Sequence, residues 1–357
     1  MTLTECPACA APVEDGYLFC EACGHDLSQP APDPATAAPG TSGPAASSAP
    51  AERAGRDWVS SAGVPERCPG CSGTDFGAEG YCETCGQRRP AGEPHTEFDL
   101  GELAGVTDKG RRHHRNEDAL GLVGRPGLMV AVVCDGVGSS TRPDAASHAA
   151  VDAAMPALLA ELDRGESVAE AITAGTRAAQ AAAALVAGPQ PGNNPPSSTF
   201  VCAVVQPDVV TIGWVGDSRA YWLPADGPAQ CLTTDDAVPG RFADVADPAA
   251  GATDPDGARV AEAVPEHAGA LLRWLGADAP DTEPHLRTLT PTGPGRVLVC
   301  SDGLFRYYPE DAQIGAAAPD DAPLPAAQEL VRLALEAGGA DNVTVALLTY
   351  PPGSNHA

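Results

Sequence analysis

Acidic residues in this sequence repeatedly stand where an apolar run stops or starts. Asp135 ends "MVAVVCD" and is followed by Gly-Val-Gly, Asp217 follows "TIGWVG", Asp302 follows "VLVCS", and Asp341 precedes "NVTVALL". Glu117 and Asp118, in "RNEDA", lie just upstream of the Asp135 run. A single Asp-Gly after a β-forming run is an ordinary turn. Repeated delivery of carboxylates to the ends of apolar strands is different, because burying them unpaired would be too costly and gathering them makes them repel. Cations resolve that conflict, and all-oxygen donors select hard ions such as Mg²⁺ or Mn²⁺ over zinc. The glycine behind Asp135 lets a backbone carbonyl approach as closely as the carboxylate. Nothing in the spacing of His113, His114 and His148 marks them as ligands.

A second chemistry is carried by sulfur. Eight of the twelve cysteines form two copies of one pattern, Cys6, Cys9, Cys20 and Cys23, then Cys68, Cys71, Cys82 and Cys85, with ten residues between the C-x-x-C pairs of each copy. Paired knuckles of this kind close the halves of a tetrahedral thiolate site, so each copy reads as a zinc ribbon holding one structural Zn²⁺. Disulfides are the alternative, and they need an oxidising compartment for which the N-terminus shows no export signal. Each ribbon has too few apolar residues to fold unaided, so metal supplies most of its folding free energy. The first copy contains neither Lys nor Arg, which speaks against nucleic acid and for protein docking or a structural role. Cys134, Cys202, Cys231 and Cys300 sit among apolar neighbours without the anion cradle of a cysteinyl-phosphate enzyme, and read as small core residues.

These groups need a frame. From Phe98 onward short β-rich runs alternate with Ala-rich helical stretches at Asp144–Leu162, Val168–Val186 and Ala326–Glu336. The spacing around Pro207 and Asp208 is that of a hairpin between Thr199–Val205 and a long strand Val209–Leu223, which implies antiparallel pairing. The fold class expected is α+β, with antiparallel sheets covered by helices. Residues 1–27 and 66–90 are the ribbons. Residues 28–65 are a Pro/Ala/Ser-rich disordered linker, and Arg88–Glu97 is a short polar link to a large domain at 98–350. The irregular stretch 236–265 reads as a flap. Acidic residues number 48 against 21 basic ones, a net charge of −27, which opposes binding to nucleic acid or anionic membranes. No segment reads as a membrane span, and the expected location is the cytoplasm.

The ordered set "NED" (Asn116–Asp118), "DGVG" (Asp135–Gly138), "GDSRAY" (Gly216–Tyr221), "CSDGL" (Cys300–Leu304) and "GGADNVTV" (Gly338–Val345) resembles the bacterial branch of the metal-dependent protein phosphatase family, type 2C. "DAASHAA", "LTTDD" and "LLRWLGAD" add to the resemblance, which covers about Leu100 to Tyr350. It implies a β-sandwich of two antiparallel sheets flanked by helices, with a binuclear Mn²⁺/Mg²⁺ centre that hydrolyses phosphoserine and phosphothreonine in proteins, among them bacterial Ser/Thr kinases and their targets. By the same resemblance Asp135 bridges both metals, the Gly136 carbonyl binds one, Asp302 and Asp341 complete the other, and Asp217 with Asp302 is associated with a third. Glu117 and Asp118 orient waters from outside, and Asn342 positions the neighbouring strand. Where the family usually has a phosphate-binding arginine, three residues before Asn116, this chain has His113, so His113, Arg112 or Arg115 must take that role. The rival expectation is a non-catalytic pseudo-phosphatase or adaptor that binds partners through its ribbons.

Overall fold

Strands in the large domain alternate between two buried faces, which is why they read as nearly unbroken apolar runs. Val130, Val132 and Cys134 contribute to one core cluster while Met129, Ala131 and Val133 contribute to another. The computed structural model describes residues 4–5, 12–13, 57–62, 67–68, 71–77, 81–188, 194–239 and 269–352. They fall into two units, Met1–Asp57 and Trp58–Ala357. In the first, β1 (Thr4–Glu5) pairs antiparallel with β2 (Pro12–Val13). Cys6, Cys9, Cys20 and Cys23 lie outside the described residues, as do 28–56 and the flap residues 240–265.

The second unit is a sandwich of two six-stranded sheets, each antiparallel throughout. One sheet contains β3 (Val59–Ser60), β6 (Asp118–Arg125), β7 (Leu128–Asp135), β9 (Phe200–Gln206), β10 (Val209–Val215) and β14 (His285–Leu289), in the spatial order β14-β10-β9-β7-β6-β3. The other contains β4 (His95–Asp99), β5 (Leu103–Asp108), β11 (Arg219–Pro224), β12 (Gln230–Cys231), β15 (Gly295–Cys300) and β16 (Val343–Tyr350), in the order β12-β11-β15-β16-β5-β4. A small ladder, β8 (Ser197–Ser198) with β13 (Leu275–Gly276), lies outside both.

Helices α1 (Pro143–Asp163) and α2 (Val168–Val186) bury their apolar faces on the first sheet. Helix α2 begins where its sequence allows a reciprocal cap: Ser167 accepts from the Glu170 N–H, and the Glu170 side chain accepts from the Ser167 N–H. The second sheet is covered by α3 (Asp302–Phe305), α4 (Asp311–Ala317) and α5 (Pro323–Glu336). Between the sheets lies the third cluster, including Leu120, Val133, Ile212, Val299 and Leu348. Cys134, Cys202 and Cys300 are fully buried, and burial pushes the Cys202 thiol up to about 12, so they act as core residues.

The structure corrects four boundaries. The run Val209–Leu223 is two strands, not one: β10 ends at Val215, Gly216 turns at φ +104°, and the chain enters the opposite sheet as β11. The end of the stretch read as linker 28–65 belongs to the sandwich, because Trp58 is buried in the helix-side core and Val59 pairs with Leu122 on β6. The polar link Arg88–Glu97 is partly sheet, since β4 pairs with β5 from His95 onward. The start of the flap region 236–265 is also ordered by pairing: Ala237 bridges Leu271 and the Val238 N–H donates to the Ala270 carbonyl at 2.9 Å.

Candidate metal centre and thiolate cluster

All the singled-out carboxylates of the sandwich arrive at one of its ends. Asp118, first residue of β6, stands directly opposite Asp135, last residue of β7. Asp217 lies in the crossing between β10 and β11, Asp302 opens α3 just after β15, and Asp341 precedes β16. Asp118, Asp217 and Asp302 are almost inaccessible, at 0%, 3% and 2% exposure. Burial, reinforced by the charges of Asp118, Asp302, Asp341 and Asp217, pushes the Asp135 carboxyl well above its ordinary range. Desolvation is the largest cause raising Asp118, to about 7, and it raises Glu117 too.

Asp118 is held by hydroxyls at one oxygen. Ser301 Oγ and Thr344 Oγ1 each donate to its Oδ2 at 2.7 Å, while its buried Oδ1 has no hydrogen-bond partner among the described residues. Thr107 Oγ1 lies 2.6 Å from Thr344 Oγ1, and the Asn116 amide donates to Thr107 at 2.8 Å. Asn342 ties the loop that carries Glu117 to the second sheet: its Oδ1 accepts from the Glu117 N–H at 2.8 Å, and its amide donates to the carbonyls of Lys109 and Arg115. Gly136 admits no side chain, because a Cβ would lie 2.6 Å from the Pro143 carbonyl oxygen and 2.8 Å from that of Glu117. Thr199 Oγ1 accepts from the Asp135 N–H at 3.0 Å and meets Ser218 Oγ at 2.8 Å, tying the Asp135 end of β7 to the Asp217 crossing.

The cations beside this cluster are distributed unevenly. His113 Nε2 lies 3.0 Å from Asp341 Oδ1, and Arg306 donates to Asp341 Oδ2 at 2.8 Å. Burial pushes Asp341 up, but His113 and Arg306 outweigh it and leave the carboxyl below its ordinary range, while the bond to Asp341 raises His113. Arg115 Nε donates to Glu117 Oε1 at 3.1 Å. Arg112 is exposed, and among the described residues it makes no ion pair with these carboxylates. Arg219, in "GDSRAY", forks onto Asp235 at 2.8 and 2.9 Å and covers the Phe305 ring, so it is a structural partner.

Sequence reasoning missed Arg306, Ser301, Thr344 and Thr199. Arg306 lies four residues after Asp302 at the end of the short α3, a spacing that would have placed both on one side of a helix turn. The hydroxyls give no local signal, since their partners lie far away in sequence.

The sulfur site is more tightly gathered. Cys68, Cys71, Cys82 and Cys85 place their Sγ atoms within 4.8 Å of one another, the only such group of metal-ligand side chains among the described residues. Cys68 and Cys85 are 3.5 Å apart, as are Cys71 and Cys82. The Cys85 N–H is the main cause lowering Cys82 to about 6, while at Cys71 the Gly73 N–H is outweighed by the neighbouring thiols, which push it up to about 12, so one thiolate is favoured among four adjacent sulfurs. Four converging thiols, one of them readily deprotonated, fit a closed tetrahedral zinc site. The carboxylates are spread more widely, and with Asp118 Oδ1 facing no donor they fit hydrated hard cations.

Residues 107–319 match the family described as Protein phosphatase 2C. The chain belongs to that family. A curated 2C-type relative, serine/threonine protein phosphatase PstP of Mycobacterium tuberculosis, is 27% identical over 246 residues, 68% of this chain but 43% of the relative. The chain thus spans less than half the length of the curated relatives it matches. Among solved structures, the serine/threonine phosphatase Stp1 from Staphylococcus aureus aligns at a TM-score of 0.54 and 23% identity, covering 70% of this chain and 95% of that one. PppA, a regulatory component of T6SS in Pseudomonas aeruginosa, aligns at 0.53 and 22%, covering 71% and 100%. At these identities the structures show the 2C-type fold: two antiparallel sheets flanked by helices.

Proposed function

We propose that this chain is a metal-dependent serine/threonine protein phosphatase. The observation that carries the reading is the convergence of Glu117, Asp118, Asp135, Asp217, Asp302 and Asp341, from separate segments of a 2C-family chain, on one end of the sandwich. In this reading Asp135, the Gly136 carbonyl, Asp302 and Asp341 hold two Mn²⁺ or Mg²⁺ ions, and Asp217 with Asp302 contributes to a third. Such ions, when bound, make hydroxide available from water near neutral pH and neutralise the phosphate monoester.

The chain's own groups do the rest. Glu117 and Asp118 orient waters from outside the ligand set, Asp118 being fixed by Ser301 and Thr344. Arg115, two residues from Glu117, offers the charged fork that grips phosphate, and His113 supports Asp341. The substrates are phosphoserine and phosphothreonine proteins, with bacterial kinases and their targets as the class. Residues 1–27 and 66–90 are zinc ribbons, each with one structural Zn²⁺. Four free thiols in the second suit a reducing compartment and a cytoplasmic location.

The test is hydrolysis of p-nitrophenyl phosphate and of a phosphothreonine peptide with and without Mn²⁺. Turnover that needs the ion and disappears in Asp302→Ala supports the reading. A folded chain that binds Mn²⁺ but turns over neither substrate would point instead to a pseudo-phosphatase or adaptor.

A further inference from the structure

The four-cysteine module around Cys68 leaves the sandwich and returns to it at one point. Ala62 and Gly92 form an antiparallel bridge, so segment 63–91 is an insertion between two residues that touch. On the entry side Trp58 is buried in the core it shares with α1, Ser60 Oγ donates to Asp152 of α1 at 2.9 Å, and Ser61 Oγ accepts from the Leu120 N–H at 2.8 Å. On the exit side Gly92 lies flat against His148, where a Cβ would come within 2.3 Å of Nε2. The Ala91 N–H donates to Asp144 Oδ2 at 3.1 Å.

Asp144 faces both ways. It is 5% exposed in the first turn of α1, and its Oδ1 forms an ion pair at 3.7 Å with Arg115 Nε, the atom whose hydrogen bond goes to Glu117. Ser147, in the same turn, donates to the Glu117 carbonyl at 2.5 Å. One carboxylate and one guanidinium therefore separate the returning strand of the thiolate module from the carboxylate end of the sandwich.

We propose that Asp144 is a positioning residue through which closure of this four-cysteine module sets Arg115 for its phosphate. A clip across an insertion lowers the entropy cost of bringing its ends together, so thiolates held by metal keep Ala62 against Gly92 and the Ala91 N–H on Asp144. Asp144, so held, shares Arg115 with Glu117 and keeps the guanidinium from collapsing onto Glu117 alone. A pre-oriented fork loses less freedom when it takes up an anion, so the coupling acts on binding rather than turnover. The phosphate role given to Arg115 rests on the phosphatase reading, whereas the coupling between the module and Asp144 does not.

The test uses the full chain as wild type, Cys82→Ser, Asp144→Asn and the double variant. KM and kcat are measured for p-nitrophenyl phosphate at saturating Mn²⁺, beside hydrogen exchange at the amides of Ala91 and Glu117, the latter bonded to Asn342. Each single change should raise KM about threefold to tenfold with kcat nearly constant, and the double should be no worse than the poorer single. Cys82→Ser should also speed exchange at both amides. Asp144→Glu should recover part of the KM, and it replaces Asp144→Asn in the cycle if circular dichroism shows that variant unfolded. Additive KM effects, a loss confined to kcat, or unchanged exchange in Cys82→Ser would each overturn the proposal. If wild type has no turnover, the phosphatase reading fails, and the exchange comparison alone decides the coupling.

Discussion

Around Cys68 the chain brings four ligand atoms together outside the three core clusters: Cys68 and Cys82 are buried, Cys71 and Cys85 are exposed, and beside them Arg89 and Arg88 lie over the faces of Phe76 and Tyr81. Around Asp135 the reverse holds, with carboxylates set at the rim of two sheets whose interior is closed to water. On the proposed reading, an ion would make the fold of the first region, whereas in the second the fold makes the place for the ion. The cost of gathering like charges is offset by the buried Val, Leu and Ile of these clusters, at about 25 cal/mol for each Å² of apolar surface removed from water.

Removing metal should separate the two regions most sharply. Full-length protein should contain about two zinc per chain, and since structural zinc is worth on the order of 10 kcal/mol to a small module, stripping it should abolish exchange protection in 67–87 while the sandwich persists. Elemental analysis that found no zinc with all eight ribbon thiols titratable would end the thiolate assignment. Asp135→Ala or Asp302→Ala should do the opposite, leaving the fold intact while kcat falls by about a thousandfold or more, roughly 4 kcal/mol in the barrier.

The boundary between the regions is testable through Trp58. Its replacement by Ala should destabilise the sandwich by about 3 to 5 kcal/mol in urea titrations. A chain beginning at Glu93 loses Trp58, β3 and the Gly92 contact together, and should be unstable, whereas one beginning near Asp57 should fold. Retention of full stability by the shorter chain would show that the entry strand is ornamental.

On the phosphate side, Arg115→Ala should raise KM about tenfold or more, the loss of one charge-assisted contact of roughly 1.5 to 3 kcal/mol. Arg112→Ala should leave KM unchanged, and His113→Arg should lower it by restoring a fork at the family's usual position. Equal KM values in all three would place the phosphate elsewhere.

The smallest effect is one of pH. Burial holds the His148 imidazole below its ordinary pKa near 6.5, so the unfolded chain takes up that proton first. Its contribution to stability is full above about pH 6.5 and is lost as pH falls through the folded value, by at most about 1.4 kcal/mol per pH unit. His95, raised chiefly by its bond to Asp108, acts in the opposite sense but is half exposed and screened. The buried carboxyls raised at the end of the sandwich also gain stability as pH falls, so the readout is a difference: the urea midpoint of wild type relative to His148→Gln should decline between pH 7.5 and 5.

Much of this site can be read from the chain because its chemistry is local: each aspartate adjoins its own apolar strand, and the start of α2 is signalled by Ser167 and Glu170. What could not be read depends on distant partners. Ser301 and Thr344 meet at Asp118, 183 and 226 residues away, so neither hydroxyl carries a mark in its own neighbourhood. The two-residue β3 is too short to show a period, and only the buried Trp58 distinguishes it from the polar stretch before it. The crossing at Gly216–Ser218 is easily passed over because only three residues separate two strongly β-forming runs.

The strand order of the second sheet bears on how the molecule is made. β16, last of its strands in sequence, lies in the middle, between β15 and β5, and pairs Val343 with Asp108. Until it emerges from the ribosome, β4–β5 and β11–β15 are two separate ribbons with unpaired edges facing a gap. Closing that gap pairs Val343 with Asp108, 343 − 108 = 235 positions apart, the kind of pairing that makes folding slow and leaves edges open to other chains meanwhile. The same strand brings Asp341 and Thr344, so the carboxylate end is completed by the step that closes the sheet, and a partly synthesised chain exposes a sticky seam but no assembled centre.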